Sequence, residues 1–102
     1  MEKIEKEFLD KYKGKIKNYD IKIENNHIST IKISEGNEGI YESGDLKKLK
    51  NLKKVDIAKS GIKKLEPEYL PESLKVLRVS KDQDVSEIEK DPRFKKLRIE
   101  KY

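Results

Sequence analysis

The sequence predicts an α/β fold: a curved stack of about four short parallel strands, covered at its N-terminal end by a capping helix and an antiparallel β-hairpin. Three observations predict this fold. One apolar pattern occurs four times at a near-constant spacing, each copy ends in alternating apolar and polar residues, and an amphipathic segment precedes the first copy. A period of about 20–50 residues is typical of architectures in which similar units stack along one axis.

The repeated pattern has apolar residues at the first, fourth and sixth positions of a six-residue segment. The anchors of the four copies are Ile28, Ile31 and Ile33; Leu52, Val55 and Ile57; Leu74, Leu77 and Val79; and Phe94, Leu97 and Ile99. The middle anchors follow one another after 24, 22 and 20 residues, so the copies are predicted to shorten along the chain. Because alternate side chains of a strand share a face, each copy predicts a strand whose anchors face the core.

Each predicted strand is followed by a segment that returns the chain to the start of the next parallel strand. Asp45 can cap a returning helix, and Asp84 or Ser86 can cap a turn. Asp91-Pro92 combines a capping residue with proline at the first helical position. The return between the second and third strands contains Pro67 and Pro71. These prolines favour an extended or single-turn segment over a regular helix.

Residues 1–27 are predicted to form the N-terminal cap and residues 28–102 the repeats, within one structural domain. The apolar face of the predicted capping helix consists of Ile4, Phe8, Leu9 and Tyr12. Gly14 is expected to end this helix, since glycine readily adopts the backbone conformation that follows a last helical turn.

The cap also includes the first strand of the predicted hairpin, which turns at Asn25-Asn26. We expect a three-residue loop, because it places Ile21 and Ile23 on the same face as the core anchors of the first repeat. A two-residue loop would place them on the opposite face.

The composition alone would also suit a disordered chain, since 44% of the residues are charged and 33% are apolar. Stacked repeats remove that objection, because a narrow continuous core needs few apolar residues per unit. The absence of cysteine excludes disulfides and thiolate sites. No apolar run is long enough for a membrane span, and the first residues do not form a signal peptide, so a cytoplasmic protein is expected.

The pattern resembles the L-x-x-L-x-L core of the leucine-rich repeat family, which is matched four times over residues 28–102. The copy at residues 52–65 follows the family pattern furthest, and Leu70-Pro71 is similar to the Leu-Pro-containing repeats of bacterial members. Gly36, Ser60 and Asp82 stand where the family has its asparagine, so a regular asparagine ladder is not expected. The resemblance implies a short solenoid with a concave face formed by the strands.

Catalysis is not expected. His27 is the only histidine and lies in the predicted hairpin turn, so a Cys-His or Ser-His-Asp site is not supported. The acidic run at 82–89 lacks the glycine and the final ligand of a calcium-binding loop, and the segment 34–39 has the wrong spacing for a nucleotide-binding loop. The segment 34–39 is interpreted as a loop that leaves the first strand. We therefore expect no catalytic residues, no cofactor and no metal.

The side chains between the core anchors form three predicted rows across the concave face. The first row is Thr30, Lys54, Val76 and Lys96; the middle row is Lys32, Asp56, Arg78 and Arg98; the last row is Ser34, Ala58, Ser80 and Glu100. From these rows we predict that the partner-binding residues are Lys32, Lys54, Asp56, Arg78, Lys96 and Arg98.

These rows predict a non-enzymatic protein–protein interaction module, an adaptor or a steric inhibitor, that binds an acidic partner protein. Two of the three arginines lie in the middle row, and their planar guanidinium groups suit recognition of carboxylates or phosphates. The alternative is DNA or RNA binding by the same face. The net charge of +5 is spread over an almost balanced chain, and the predicted rows hold no aromatic residue to stack a base, which favours a protein partner. The oligomeric state, the identity of the partner and the choice between the concave and convex faces stay open.

Overall fold

The apolar repeats form consecutive strands of one mixed sheet in a computed structural model, which describes residues 1–102 with the side chain of residue 18 excepted. The five strands are β1 (Ile21–Glu24), β2 (His27–Lys32), β3 (Lys54–Asp56), β4 (Val76–Val79) and β5 (Arg98–Lys101), and they lie in the order of the sequence. β1 is antiparallel to β2, whereas β2 to β5 are parallel. The predicted α/β class, four parallel strands and antiparallel hairpin are confirmed.

Short helices connect the strands. The α-helices are α1 (Lys3–Lys11), α2 (Glu38–Glu42) and α3 (Ser86–Lys90), and single 3₁₀ turns occur at Asn18–Asp20, Asp45–Lys48, Pro67–Tyr69 and Pro92–Phe94. The predicted capping helix, the single turn between the two prolines and the helical turn after Asp91 are confirmed. Within the described part of the chain, no helix combines the length and the apolar character needed to cross a membrane.

Helix α2 begins in the last two residues of segment 34–39, which the sequence predicts as a loop leaving the first strand, so that prediction is wrong at residues 38 and 39. Ile40 and Tyr41 are buried in the core, so tertiary packing overrides the poor helix propensity of Gly39. The Tyr41 hydroxyl donates to the Glu66 carbonyl at 3.0 Å and accepts from the Glu66 amide at 2.7 Å. These hydrogen bonds thus connect the segment after β2 to the segment after β3.

The hairpin has a two-residue loop, so the predicted three-residue loop is wrong. Glu24 pairs with His27, and Asn25 and Asn26 both have positive φ angles of 52° and 65°. This conformation suits a two-residue hairpin, and asparagine tolerates it better than most residues.

A bulge in β2 compensates for the shorter loop. Ile21 pairs with Ile31 but Ile23 pairs with Ile28, so Ser29 is the additional residue on β2. Its hydroxyl donates to the Lys22 carbonyl at 3.1 Å. Because of this bulge, Ile28 and Ile31 face the same core although they are three residues apart, which explains the burial of the first anchor of the first copy.

The core consists mainly of the predicted anchors. Those of the first three copies are buried, and in the fourth copy Phe94 is buried while Leu97 and Ile99 are partly buried. Each fully buried leucine or isoleucine contributes about 1.5–3 kcal/mol relative to exposure, so this narrow core offsets much of the conformational entropy that folding removes.

The last strand is shifted by two residues from its predicted register. Ile99, and not Leu97, pairs with Leu77, so the middle anchors follow after 24, 22 and 22 residues and the last copy is not shorter than the one before it. The Leu97 amide donates to the Phe94 carbonyl at 3.0 Å, which holds Leu97 in a turn. β5 therefore begins at Arg98.

Gln83 joins two turns of the fold. Its Nε2 donates to the carbonyls of Ile57 and Ile62, each at 2.9 Å, and its Oε1 accepts from the Ser80 amide at 2.8 Å. The side chain is buried, so these bonds satisfy backbone groups that lack water.

Candidate functional site

The parallel register brings charged side chains from successive strands into two rows on the solvent-facing side of the sheet. The first row is Lys22, Thr30, Lys54, Val76 and Arg98, and the middle row is Lys32, Asp56, Arg78 and Glu100. We call these two rows the strand face. The adjacent positions Ile31, Val55 and Leu77 are buried, so alternation separates the strand face from the core.

Five of the six predicted partner-binding residues lie on the strand face. Lys32, Lys54, Asp56 and Arg78 occupy the rows predicted for them. The predicted places of the other two residues are wrong, because β5 begins two residues later than the repeat pattern suggests. Arg98 lies in the first row instead of the middle row, and Lys96 precedes β5 and lies outside the sheet.

Glu100 takes the place in the middle row that the sequence assigned to Arg98. The row therefore alternates in charge, as Lys32, Asp56, Arg78 and Glu100. Arg78 Nη1 lies 3.8 Å from Asp56 Oδ2, and Arg78 Nε lies 3.5 Å from Glu100 Oε1. The middle row is thus internally paired at its centre.

An aromatic side chain covers part of this row. The Tyr102 amide donates to the Val79 carbonyl, and the Tyr102 carbonyl accepts from the Lys81 amide, which places Tyr102 opposite Ser80. The Arg78 guanidinium carbon lies 4.3 Å from the centroid of the Tyr102 ring. The ring is 53% exposed, so it offers apolar area to solvent beside a fixed guanidinium group.

Away from Arg78, the strand face carries positive charge that no nearby carboxylate neutralises. Among the described side chains, the ammonium groups of Lys32 and Lys54 have no carboxylate oxygen within 4.0 Å. Arg98 Nη2 lies 3.3 Å from Glu100 Oε2, but its side chain is 70% exposed. The face therefore combines a centre of paired charges with two lysines available to an anionic group.

A second polar cluster, centred on Glu5, joins α1 to the hairpin. The Glu5 side chain is buried, and its Oε2 accepts from the Ile28 amide at 2.7 Å. Its Oε1 lies 2.9 Å from His27 Nδ1 and accepts from the Glu2 amide at 3.0 Å. The sequence predicted His27 as a turn residue, whereas it begins β2 and contacts this carboxylate.

The hydrogen bonds decide the ionisation of Glu5. Burial raises the pKa of its carboxyl, but the hydrogen bond with His27 and those from the Ile28 and Glu2 amides outweigh that effect and leave the pKa below its usual value. A charged carboxylate at this position accepts all of these bonds, so the cluster orients the hairpin against α1.

The same cluster has a composition that could hold a metal ion. Glu2, Glu5 and His27 each bring one possible ligand atom within 4.8 Å of the others. Both Glu5 oxygens already contact protein donors, and Glu2 Oε1 accepts from Asn51 Nδ2 at 3.2 Å. A metal would have to displace these donors, so we interpret the cluster as structural.

A third cluster joins α1 to the turn after α2. Asp45 is buried, and its Oδ2 accepts from Lys11 Nζ at 2.7 Å and from the Tyr12 hydroxyl. The Ser43 hydroxyl lies 3.2 Å from that of Tyr12. Burial raises the pKa of Asp45, but the hydrogen bonds from Lys11 and Tyr12 outweigh it and lower the pKa to about 2. Asp45 was predicted as a helix cap, and it instead anchors the capping helix.

The sequence contains patterns from which the positions of some of these residues could have been predicted. Glu5 lies three and four positions before Phe8 and Leu9, on the apolar face of the predicted helix, and Glu2 and Glu5 have the spacing of a capping box, which the structure contains. Tyr102 would follow from the correct register of β5 alone. The partners of Asp45 come from a distant segment, and the local sequence does not indicate them.

Comparisons with known proteins give no match: no family model, no curated protein and no solved structure is similar to this chain at a significant level.

Proposed function

We propose that this chain is a short leucine-rich repeat solenoid of bacterial type, and that it is a non-enzymatic protein–protein interaction module acting as an adaptor or a steric inhibitor. One observation carries the proposal. The strand face presents charged side chains from four parallel strands in register, and ion pairs hold its central arginine between Asp56 and Glu100. Because the strands already hold these side chains in place, binding a partner costs less conformational entropy.

The charges on the strand face favour an acidic partner surface. Lys32 lies in the middle row and Lys54 in the first row, and the two acidic residues of the face are each within 3.8 Å of Arg78. A carboxylate of a partner would therefore meet the two lysines and the exposed Arg98 before it met an unpaired acid. Opposite charges at such positions mainly raise the rate and the specificity of association.

Apolar contact supports the same interpretation. Val76 lies half-buried in the first row, and Tyr102 is largely exposed beside Arg78. Tyrosine and arginine are the residue types that most often contribute strongly to protein–protein affinity when a partner covers them. We place the centre of the interface on Arg78 and Tyr102, with Lys32 and Lys54 at its rim.

DNA or RNA binding remains the second candidate, because one observation favours it. Tyr102 supplies the aromatic side chain that the sequence-predicted rows lacked, and its ring lies over Arg78. Asp56 and Glu100 lie in the same row and would repel the phosphates of a strand tracking along it. We therefore place protein binding first.

Affinity capture with matched variants tests the first candidate. The immobilised chain is exposed to lysate of its source, alongside the variant K32E/K54E and the control variant K59E/K63E, which makes the same charge change outside the strand face. We expect a protein that the chain and the control retain and that K32E/K54E loses at least tenfold. A partner held equally by all three would overturn the assignment of the strand face.

A salt titration with oligonucleotides tests the second candidate. Fluorescence anisotropy is measured with duplex and single-stranded DNA and RNA at low and physiological salt. If the first candidate holds, binding near physiological salt is absent. Micromolar binding that weakens steeply with salt and is lost in K32E/K54E would favour the nucleic-acid function instead.

A further inference from the structure

The outer side of the N-terminal cap contains an apolar cleft, on the opposite side of β1 from the strand face. The cleft has a volume of about 510 Å³ and lies between the C-terminal end of α1 and β1. The apolar residues that line it are Leu9, Tyr12, Ile16, Ile21 and Ile23. Ile23 is 49% exposed, so the cleft offers apolar area to solvent instead of closing over it.

The cleft lies along an open edge of the sheet. β1 is the first strand in the sheet order, and among the described residues no strand pairs with its outer side. Alternate backbone amide and carbonyl groups of an edge strand point away from the sheet and can pair with another extended chain. Ile21 and Ile23 alternate with Lys22, so one face of β1 meets the cleft and the other continues the first row of the strand face.

The charged groups around the cleft are mainly basic. Lys13 and Lys17 line it, with Asp10 as the single acidic residue of the lining. The Lys22 side chain is 66% exposed on the other face of β1, where its Nζ lies 4.0 Å from Glu24 Oε2. An added strand would therefore place one set of side chains in the apolar cleft and the alternate set beside a lysine.

We propose that the edge of β1 binds an extended segment of a partner protein in which apolar residues alternate with Asp or Glu. The segment pairs with β1 as a sixth strand, its apolar side chains fill the cleft, and its acidic side chains lie on the face of Lys22. Lys13 and Lys17, which line the cleft, add positive charge along the same segment. Backbone pairing supplies affinity in this mode of recognition, and the pockets for alternate side chains supply selectivity. This second surface does not depend on the function proposed for the strand face.

Three synthetic peptides test the proposal. The probe is a fluorescein-labelled octapeptide in which Val alternates with Glu; the controls are the same peptide with Lys in place of Glu, and the acidic peptide with alternate backbone amides N-methylated. By anisotropy we expect the acidic probe to bind at least tenfold more tightly than either control. Amide chemical-shift changes should map to residues 9–24. Equal affinity for the acidic and basic peptides, or shifts confined to β3 and β4, would overturn the proposal.

Variants distinguish this surface from the strand face. I23E introduces a negative charge, the same as that of the probe, at an exposed position of the cleft. K13E/K17E reverses the charge of the cleft and leaves its apolar residues intact. Each variant should weaken binding of the acidic probe at least tenfold. K13E/K17E keeps the test decisive if I23E lowers stability, since both lysines are exposed. K32E/K54E should bind the probe like the original chain. Concentration-dependent dimerisation that I23E abolishes would show that a second copy occupies the edge, and would overturn the proposal.

Discussion

The junction between the cap and the repeats and the strand face use the same charged residue types in different surroundings. At the junction, Glu5 and Asp45 are 1% and 8% exposed, and they accept hydrogen bonds of 2.7–3.0 Å. On the strand face, the side chains of Arg78 and Glu100 are 35% and 31% exposed, and their closest atoms are 3.5 Å apart. Burial and distance therefore separate two roles for charge in this small fold.

The difference teaches where charge stabilises this fold and where it stays available to a partner. A buried carboxylate with several donors is costly to alter, because the donors lose their acceptor in a place that water does not reach. The contact between Arg78 and Glu100 contributes little to stability, because Nε and Oε1 are 3.5 Å apart and make no hydrogen bond, and both side chains are partly exposed. The strand face can thus exchange its internal pairs for contacts with a partner at small cost, whereas the junction cannot.

The largest effect is expected from E5Q at the junction. The amide keeps the shape of the side chain but presents a donor to one of the Glu2 and Ile28 backbone amides, both of which require an acceptor. We expect a loss of about 2–3 kcal/mol in the free energy of unfolding, measured by urea denaturation. E7Q makes the same change at an exposed position of α1 and should stay within about 0.5 kcal/mol of the original chain. Equal stabilities of the two variants would contradict the structural role of Glu5.

Asp45 predicts a second large effect, which depends on pH. Its pKa is about 2 in the folded chain and ordinarily 3.8, so its contribution is fully present above about pH 4 and is lost as pH falls towards 2. The two values correspond to about 2 kcal/mol. We expect the difference in unfolding free energy between the original chain and D45N to shrink by that amount between pH 5 and pH 2.

D10N provides the control for this pH dependence, because Asp10 is an exposed residue of α1. Its difference from the original chain should change by less than about 0.5 kcal/mol over the same range. A D45N difference that stays constant from pH 5 to pH 2 would show that Asp45 does not hold its charge through Lys11 and Tyr12.

Much of the fold follows from the sequence, because each repeat contains its own local rule. Alternating anchors predict β2, β3 and β4, and one apolar helix face predicts α1. The register of β5 did not follow, since Leu97 and Ile99 both fit an alternating strand. The turn at Pro92–Phe94, in which the Leu97 amide donates to the Phe94 carbonyl, is what makes Ile99 and not Leu97 the middle anchor of β5.

The candidate sites follow less well, because their geometry depends on contacts between distant segments. Lys32, Lys54 and Arg78 could be placed on one face from strand alternation. Because β5 is shifted by two residues, Glu100 and not Arg98 lies beside Arg78, so the charges of the middle row alternate in sign. The donors to Asp45 lie more than 30 residues away, so no local pattern could assign that carboxylate its role.

The smallest effect is expected on the strand face, from the pair Arg78 and Glu100. A double-mutant cycle with R78M and E100Q measures their coupling in the free energy of unfolding, and it cancels the loss of the Arg78 contact with Tyr102, which both arms share. We expect less than about 1 kcal/mol near physiological salt. Raising the salt to about 1 M should reduce it further, since screening acts strongly on half-exposed charges.

The matching cycle at the junction, with K11M and D45N, uses a pair of which one member is buried and the atoms are 2.7 Å apart. Its coupling should exceed that of Arg78 and Glu100 and should respond less to salt, because protein surrounds the Asp45 carboxylate. Larger coupling on the strand face than at the junction would reverse the comparison. In that case Arg78 would stabilise the fold, and a partner could engage it only by breaking an interaction that the repeats require.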